Sequence, residues 1–70
     1  MSEIKFDTVG RIIKGEYPGW SIKVETTTAD RYLVSFWNGD EHFYNWADSL
    51  RELKDYFSDK GWDVDWEQPL

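Results

Sequence analysis

Between residues 20 and 45 the chain is written almost throughout with a period of two, and that periodicity commits it to an antiparallel sheet. In residues 20–26, Trp20, Ile22 and Val24 face one way while Ser21, Lys23 and Glu25 face the other, the pattern of a half-buried strand. After a polar turn at 27–30, residues 31–37 alternate again, now with apolar side chains on both sides. Tyr32, Val34 and Phe36 form one row and Leu33 and Trp37 the other. A strand apolar on both faces belongs in the middle of a sheet, with something covering each side. Asn38-Gly39 predicts a two-residue hairpin, because both residues tolerate positive φ, and 41–45 is the returning strand. Upstream, 4–14 alternates weakly around Gly10, as one bent strand or two short ones, and 15–19 is a turn.

One helix follows. Trp46, Leu50, Leu53 and Phe57 recur at spacings of four, three and four, which places them in a single apolar stripe. Ser49 and Glu52 have the spacing of a capping box, with Asn45 as the cap of an earlier start. Gly61 is placed to end the helix in the left-handed conformation, with Phe57 and Trp62 making the apolar contact of a Schellman motif. Trp62, Val64 and Trp66 then alternate with Asp63, Asp65 and Glu67 in a last short strand that Pro69 ends. The predicted fold is one α+β domain over 1–70. It is a two-layer sandwich in which an antiparallel meander of three or four strands carries one helix on one face, followed by a short C-terminal strand. The predicted core is Trp20, Ile22, Val24, Trp62, Val64, Trp66 and the helix stripe.

The domain is small enough to bury only about 60% of the surface its unfolded chain exposes. It has five Trp, four Tyr and four Phe to place, and no cysteine for a disulfide or thiolate metal site. Some rings therefore remain at the surface. The helix covers one sheet face, which leaves the second face carrying Leu33 and Trp37, or Tyr32 and Phe36, beside the hairpin partner's His42, Phe43 and Tyr44. Exposed apolar patches of more than a few hundred Å² mark interaction sites. Trp37, Tyr44, Tyr32 and His42 are the candidate contact residues. Two arrangements would occupy the face instead: the curved first strand or the Tyr17-Pro18-Gly19 turn folding over it, or a homodimer.

Fourteen acidic residues against eight basic ones give a net charge of −6. Asp48, Glu52, Asp55 and Asp59 repeat at four, three and four, opposite the apolar stripe at about 100° per residue, and form a candidate acidic edge. This charge repels phosphates and anionic lipid and speeds encounter with a basic protein. No apolar run approaches the roughly 20 residues of a membrane span. The opening Met1-Ser2-Glu3 lacks the charged and apolar regions of a signal peptide, and a cytoplasmic location is expected.

Catalytic readings find little purchase. The single His42 stands beside Asp40 and Glu41, and a lone histidine in a hairpin is ordinarily a surface residue. No second His or Cys exists for a transition-metal site. Residues 63–67 lack the glycine and twelve-residue frame of a calcium loop. No Lys-Ser/Thr follows Gly15 or Gly19, as a phosphate loop needs. No catalysis, metal or cofactor is expected. Cold-shock domains share the aromatic, β-rich character, but their rings are interleaved with lysine, and Tyr32–Trp37 contains none. Single-stranded nucleic acid is therefore the third reading, behind a basic protein partner and a homodimer.

Pro18-Gly19-Trp20-Ser21, followed by the alternating Ile22-Lys23-Val24-Glu25, resembles a strand-entry motif of small bacterial immunity proteins, which neutralise the toxins of polymorphic and contact-dependent systems. The resemblance implies a function as an immunity protein, and adds to the reading that acidity and surface rings already give: an immunity protein or phage-type inhibitor that occludes a basic partner.

Overall fold

The computed structural model describes residues 4–27 and 31–66. Five strands and one helix follow in the order β1 (Val9–Lys14), β2 (Ser21–Thr26), β3 (Tyr32–Asn38), β4 (Glu41–Ala47), α1 (Leu50–Lys60) and β5 (Asp63–Trp66). The strands form one sheet, ordered β4-β3-β2-β1-β5, antiparallel at every pairing. The α+β two-layer arrangement is the one the periodicity predicts. The last strand does not trail the meander but closes its far edge against β1. Since β4 and β5 lie at opposite edges, α1 must cross the whole sheet between them. Its eleven residues at about 1.5 Å each reach roughly 16 Å, against roughly 19 Å for four inter-strand gaps of about 4.8 Å.

The register explains which face the helix takes. Ile22 lies opposite Phe36, Val24 opposite Val34, and Ile12 opposite Val64. This face meets Leu53 and Phe57 of α1, and Ile12, Ile22, Val24, Val34 and Leu53 are fully buried. Trp62 and Val64 complete the core as predicted, while Trp20 and Trp66 pack at its margin, half-buried.

Both helix ends form as their residues dictate. Ser49 has extended backbone, and its Oγ accepts the Glu52 N–H at 3.1 Å, satisfying one of the helix's orphan donors. At the other end Gly61 takes φ 68°. Its N–H donates to the Ser58 carbonyl at 3.0 Å, and that of Trp62 to the Phe57 carbonyl at 3.1 Å. These are the two bonds of a Schellman motif, and the Phe57 and Trp62 rings meet edge-on at 5.1 Å.

The turn between β1 and β2 is docked onto this helix end. Glu16 N–H donates to the Lys60 carbonyl at 3.1 Å, and Trp62 Nε1 donates to the Glu16 carbonyl at 2.7 Å. Gly15, at φ 97°, lies so close that a Cβ there would fall 2.5 Å from the Gly61 carbonyl oxygen. Tyr17, itself at φ 58°, turns its ring onto Trp20 and Phe36, at 4.9 and 5.2 Å. Phe43 joins this cluster against Trp20 at 5.9 Å, extending the core at the hairpin end of the sheet.

Five local expectations are corrected. Within 4–14 only Val9–Lys14 is strand. Asp7 adopts φ 58°, its carboxylate accepts the Thr26 hydroxyl at 3.2 Å, and the chain before it turns toward the helix side, where Phe6 meets Tyr32 at 5.5 Å. Gly10 does not interrupt β1; a Cβ there would sit 2.7 Å from both Trp66 and Val64 of β5. The hairpin turn is Gly39-Asp40 rather than Asn38-Gly39, since Asn38 pairs with Glu41 and only Gly39 has positive φ. That is the II′ pattern, with glycine at the first central position. Finally, Trp46 belongs to β4, opposite Leu33, and Leu50 is exposed, so the buried helix stripe is Leu53 and Phe57 alone. Asn45 is no helix cap: its Oδ1 accepts the Trp46 N–H at 3.1 Å. The predicted 27–30 turn, Glu67 and Pro69 fall wholly or partly outside the described residues.

Candidate partner-binding face

The sheet face turned away from α1 is built from the alternate positions of each strand. Its register places Arg11, Ser21, Trp37 and His42 in one row, Val9, Lys23, Ser35 and Tyr44 in the next, and Glu25, Leu33 and Trp46 in the third. Two unlike halves result. Over β3 and β4 the surface is Leu33, Trp37, His42, Tyr44 and Trp46. Over β1 and β2 it is mostly polar and of mixed charge, and Asp65 of β5 lies opposite Arg11.

The aromatic half is organised by contacts among its own members. The His42 ring lies 5.8 Å from Trp37, its cross-strand neighbour, and edge-on to Tyr44 at 5.4 Å. Tyr44 and Trp46 are nevertheless 67% and 50% exposed, so much of their ring area faces outward. Ser35, small and overlaid by larger neighbours, is buried at the centre. Arg31 closes one end: its guanidinium sits 4.7 Å from the Trp46 ring centroid, and its Nε donates to Asp48 at 2.9 Å. Cation and ring attract through the ring quadrupole, which holds Trp46 against the sheet without hiding it.

Both chain segments that were candidates to cover this face go elsewhere. The Tyr17 turn packs on Phe36 and Trp20, on the helix side. Phe6, from the segment before β1, packs on Tyr32 of the same side. Among the described residues no backbone segment lies across the aromatic half.

Of the residues singled out from sequence, Trp37, His42 and Tyr44 come together here. Tyr32 and Phe43 do not: Tyr32 alternates with Leu33 and Phe43 pairs with Phe36, so both face the helix layer. Trp46 was missed because its spacing to Leu50 imitates a helical repeat. The signal that could have found it was the continuation of the His42-Tyr44-Trp46 alternation, together with the Ser49 cap, which starts the helix only at Leu50.

The acidic edge is elsewhere. Glu52, Asp55 and Asp59 are exposed on α1 and, with Tyr56, line a shallow depression. They stand on the helical side away from Leu53 and Phe57, and hence on the opposite side of the domain from the aromatic face. Asp48 precedes the helix and is held by Arg31, so it is not part of this edge. Among the described residues no three His, Cys, Asp or Glu side chains cluster in a way that could hold a metal ion, and no helix is long and apolar enough to cross a membrane. No family model, curated protein or solved structure matches the chain.

Proposed function

We propose that this chain is a non-catalytic protein-binding module that holds a basic protein against the aromatic half of its open sheet face. The observation that supports this most directly is the placement of Trp37, His42, Tyr44 and Trp46 on one face while both adjacent chain segments pack on the other. Interface cores favour Trp and Tyr, and a few such anchors carry most of the binding energy. The net charge of −6 supplies long-range attraction to a basic partner. Glu52, Asp55 and Asp59 contribute at a distance, because their side of the domain is not the aromatic side. Anchoring and steering are thus divided between two surfaces. Occlusion of a basic site, as an immunity protein or inhibitor performs it, is the biological role this division suits. It needs no cofactor.

The test is affinity capture from the native lysate after nuclease treatment, run in parallel with the parent chain and Trp37→Ala. One stoichiometric basic protein is expected with the parent; Trp37→Ala should bind it about 30-fold more weakly, the equivalent of roughly 2 kcal/mol for a lost anchor, and so recover clearly less of it at limiting bait. Equal recovery by both chains would refute the assignment of the face.

A further inference from the structure

The outer edge of β4 has a property that the face alone does not explain. In a two-residue hairpin the closing pair, here Asn38 and Glu41, exchanges both backbone hydrogen bonds, and hydrogen-bonded pairs then alternate along the ladder. Phe43 and Asn45 therefore bond inward to Phe36 and Val34, while the backbone groups of His42, Tyr44 and Trp46 point outward. The Trp46 N–H is already taken by Asn45 Oδ1 at 3.1 Å. Two outward donors are left, on His42 and Tyr44, and among the described residues no strand pairs with this edge. Exposed sheet edges are ordinarily guarded by shortness, lysine, proline or bulges. The β5 edge is four residues long and carries Asp63 and Asp65. The β4 edge runs seven residues, Glu41–Ala47, with no lysine or proline.

We propose that two copies of this chain join edge to edge through β4, antiparallel, about a two-fold axis at Phe43. The free donors select this register. His42 of each copy pairs with Tyr44 of the other, giving four backbone hydrogen bonds and leaving the Asn45–Trp46 contact intact. Phe43 meets Phe43 of the other copy in the close, non-hydrogen-bonded position, where aromatic side chains interact best. Phe43 is 45% exposed on the helix side, so ring surface is available for that contact. Glu41 falls opposite Asn45, so no like charges oppose each other across the pairing. Beyond it, Asp40 comes beside Trp46 of the other copy, the ring that carries the Arg31 guanidinium. The result is a continuous ten-stranded sheet with the two aromatic half-faces side by side. This pairing leaves the proposed binding face open and does not depend on it.

The chain lacks cysteine, which makes disulfide trapping selective. Light scattering on the parent chain should give twice the 8.4 kDa chain mass at high concentration. Under mild oxidation Phe43→Cys should become a disulfide-linked dimer, since paired Cα atoms there stand about 4.5 Å apart, within disulfide range. Tyr44→Cys should not, because its two copies lie diagonally, at about 7–8 Å. As a second test, Phe43→Lys and Phe43→Glu, each confirmed folded by circular dichroism, should be monomeric alone and dimeric when mixed. A parent chain that stays monomeric, or cross-linking at Tyr44→Cys or Trp46→Cys in place of Phe43→Cys, overturns the proposal; the latter pattern would indicate face-to-face association. Capture of a basic partner by a monomeric chain would leave the binding reading standing and remove this one.

Discussion

Gly15→Ala tests the joint between the β1–β2 turn and the helix end. Two costs combine in this variant. The backbone at φ 97° is one that L side chains rarely adopt, a strain of about 1–2 kcal/mol. The new Cβ would also fall 2.5 Å from the Gly61 carbonyl oxygen and 2.7 Å from that of Lys60. Neither contact is with a side chain that can swing aside, so the turn must lift. Lifting it breaks the bond from Trp62 Nε1 to Glu16 and the one from Glu16 to Lys60, at about 1 kcal/mol each. The total is about 3–4 kcal/mol. A domain of this length has on the order of 4–10 kcal/mol of stability altogether, so the variant should unfold far more readily. Gly19→Ala is the control: φ is 89°, but nothing lies within 4 Å of its Cβ, so only the backbone strain applies. Urea unfolding followed by tryptophan fluorescence should separate the two variants by about 2 kcal/mol. If they lose stability equally, within about 0.5 kcal/mol, the docked turn contributes nothing and the reasoning fails.

Further substitutions test the helix and its start. Leu53→Ala empties a fully buried position and should cost about 2–5 kcal/mol, whereas Trp46→Ala, half exposed on the far face, should cost less than about 1.5 kcal/mol; thermal or urea melts compare them directly. Ser49→Ala removes the acceptor of the Glu52 N–H and should cost about 1 kcal/mol, recovered largely in Ser49→Asp.

The parts of the fold that were legible in the sequence are those where a local rule and the tertiary packing agree. Alternation in β2 and β3, the Ser49 cap and the Gly61–Trp62 helix end each follow from a handful of neighbouring residues. The errors fall where two local patterns overlap or where a distant contact decides. Trp46 satisfies both a strand alternation and a helical spacing, and the pairing with Leu33 settles it. Gly10 looks like a break in a strand, but β5, more than fifty residues later in the chain, needs the space. Tyr32 and Trp37 are equally aromatic, and only the side taken by the helix separates a packed ring from an outward one. The acidic repeat was legible as a pattern, yet its relation to the aromatic face depends on the layer order, which no local signal carries.

The central claim is that anchoring and steering reside on opposite sides of this domain. It is tested most directly by stopped-flow association and dissociation rates with the captured partner, measured across salt concentration. Trp37→Ala should raise the dissociation rate about 30-fold, from roughly 2 kcal/mol of lost anchoring, with little change in association. The triple variant Glu52→Gln, Asp55→Asn and Asp59→Asn should slow association and flatten its salt dependence, leaving dissociation unchanged. Faster dissociation from the triple variant, with Trp37→Ala binding as the parent does, would place the interface on the helix and contradict the account.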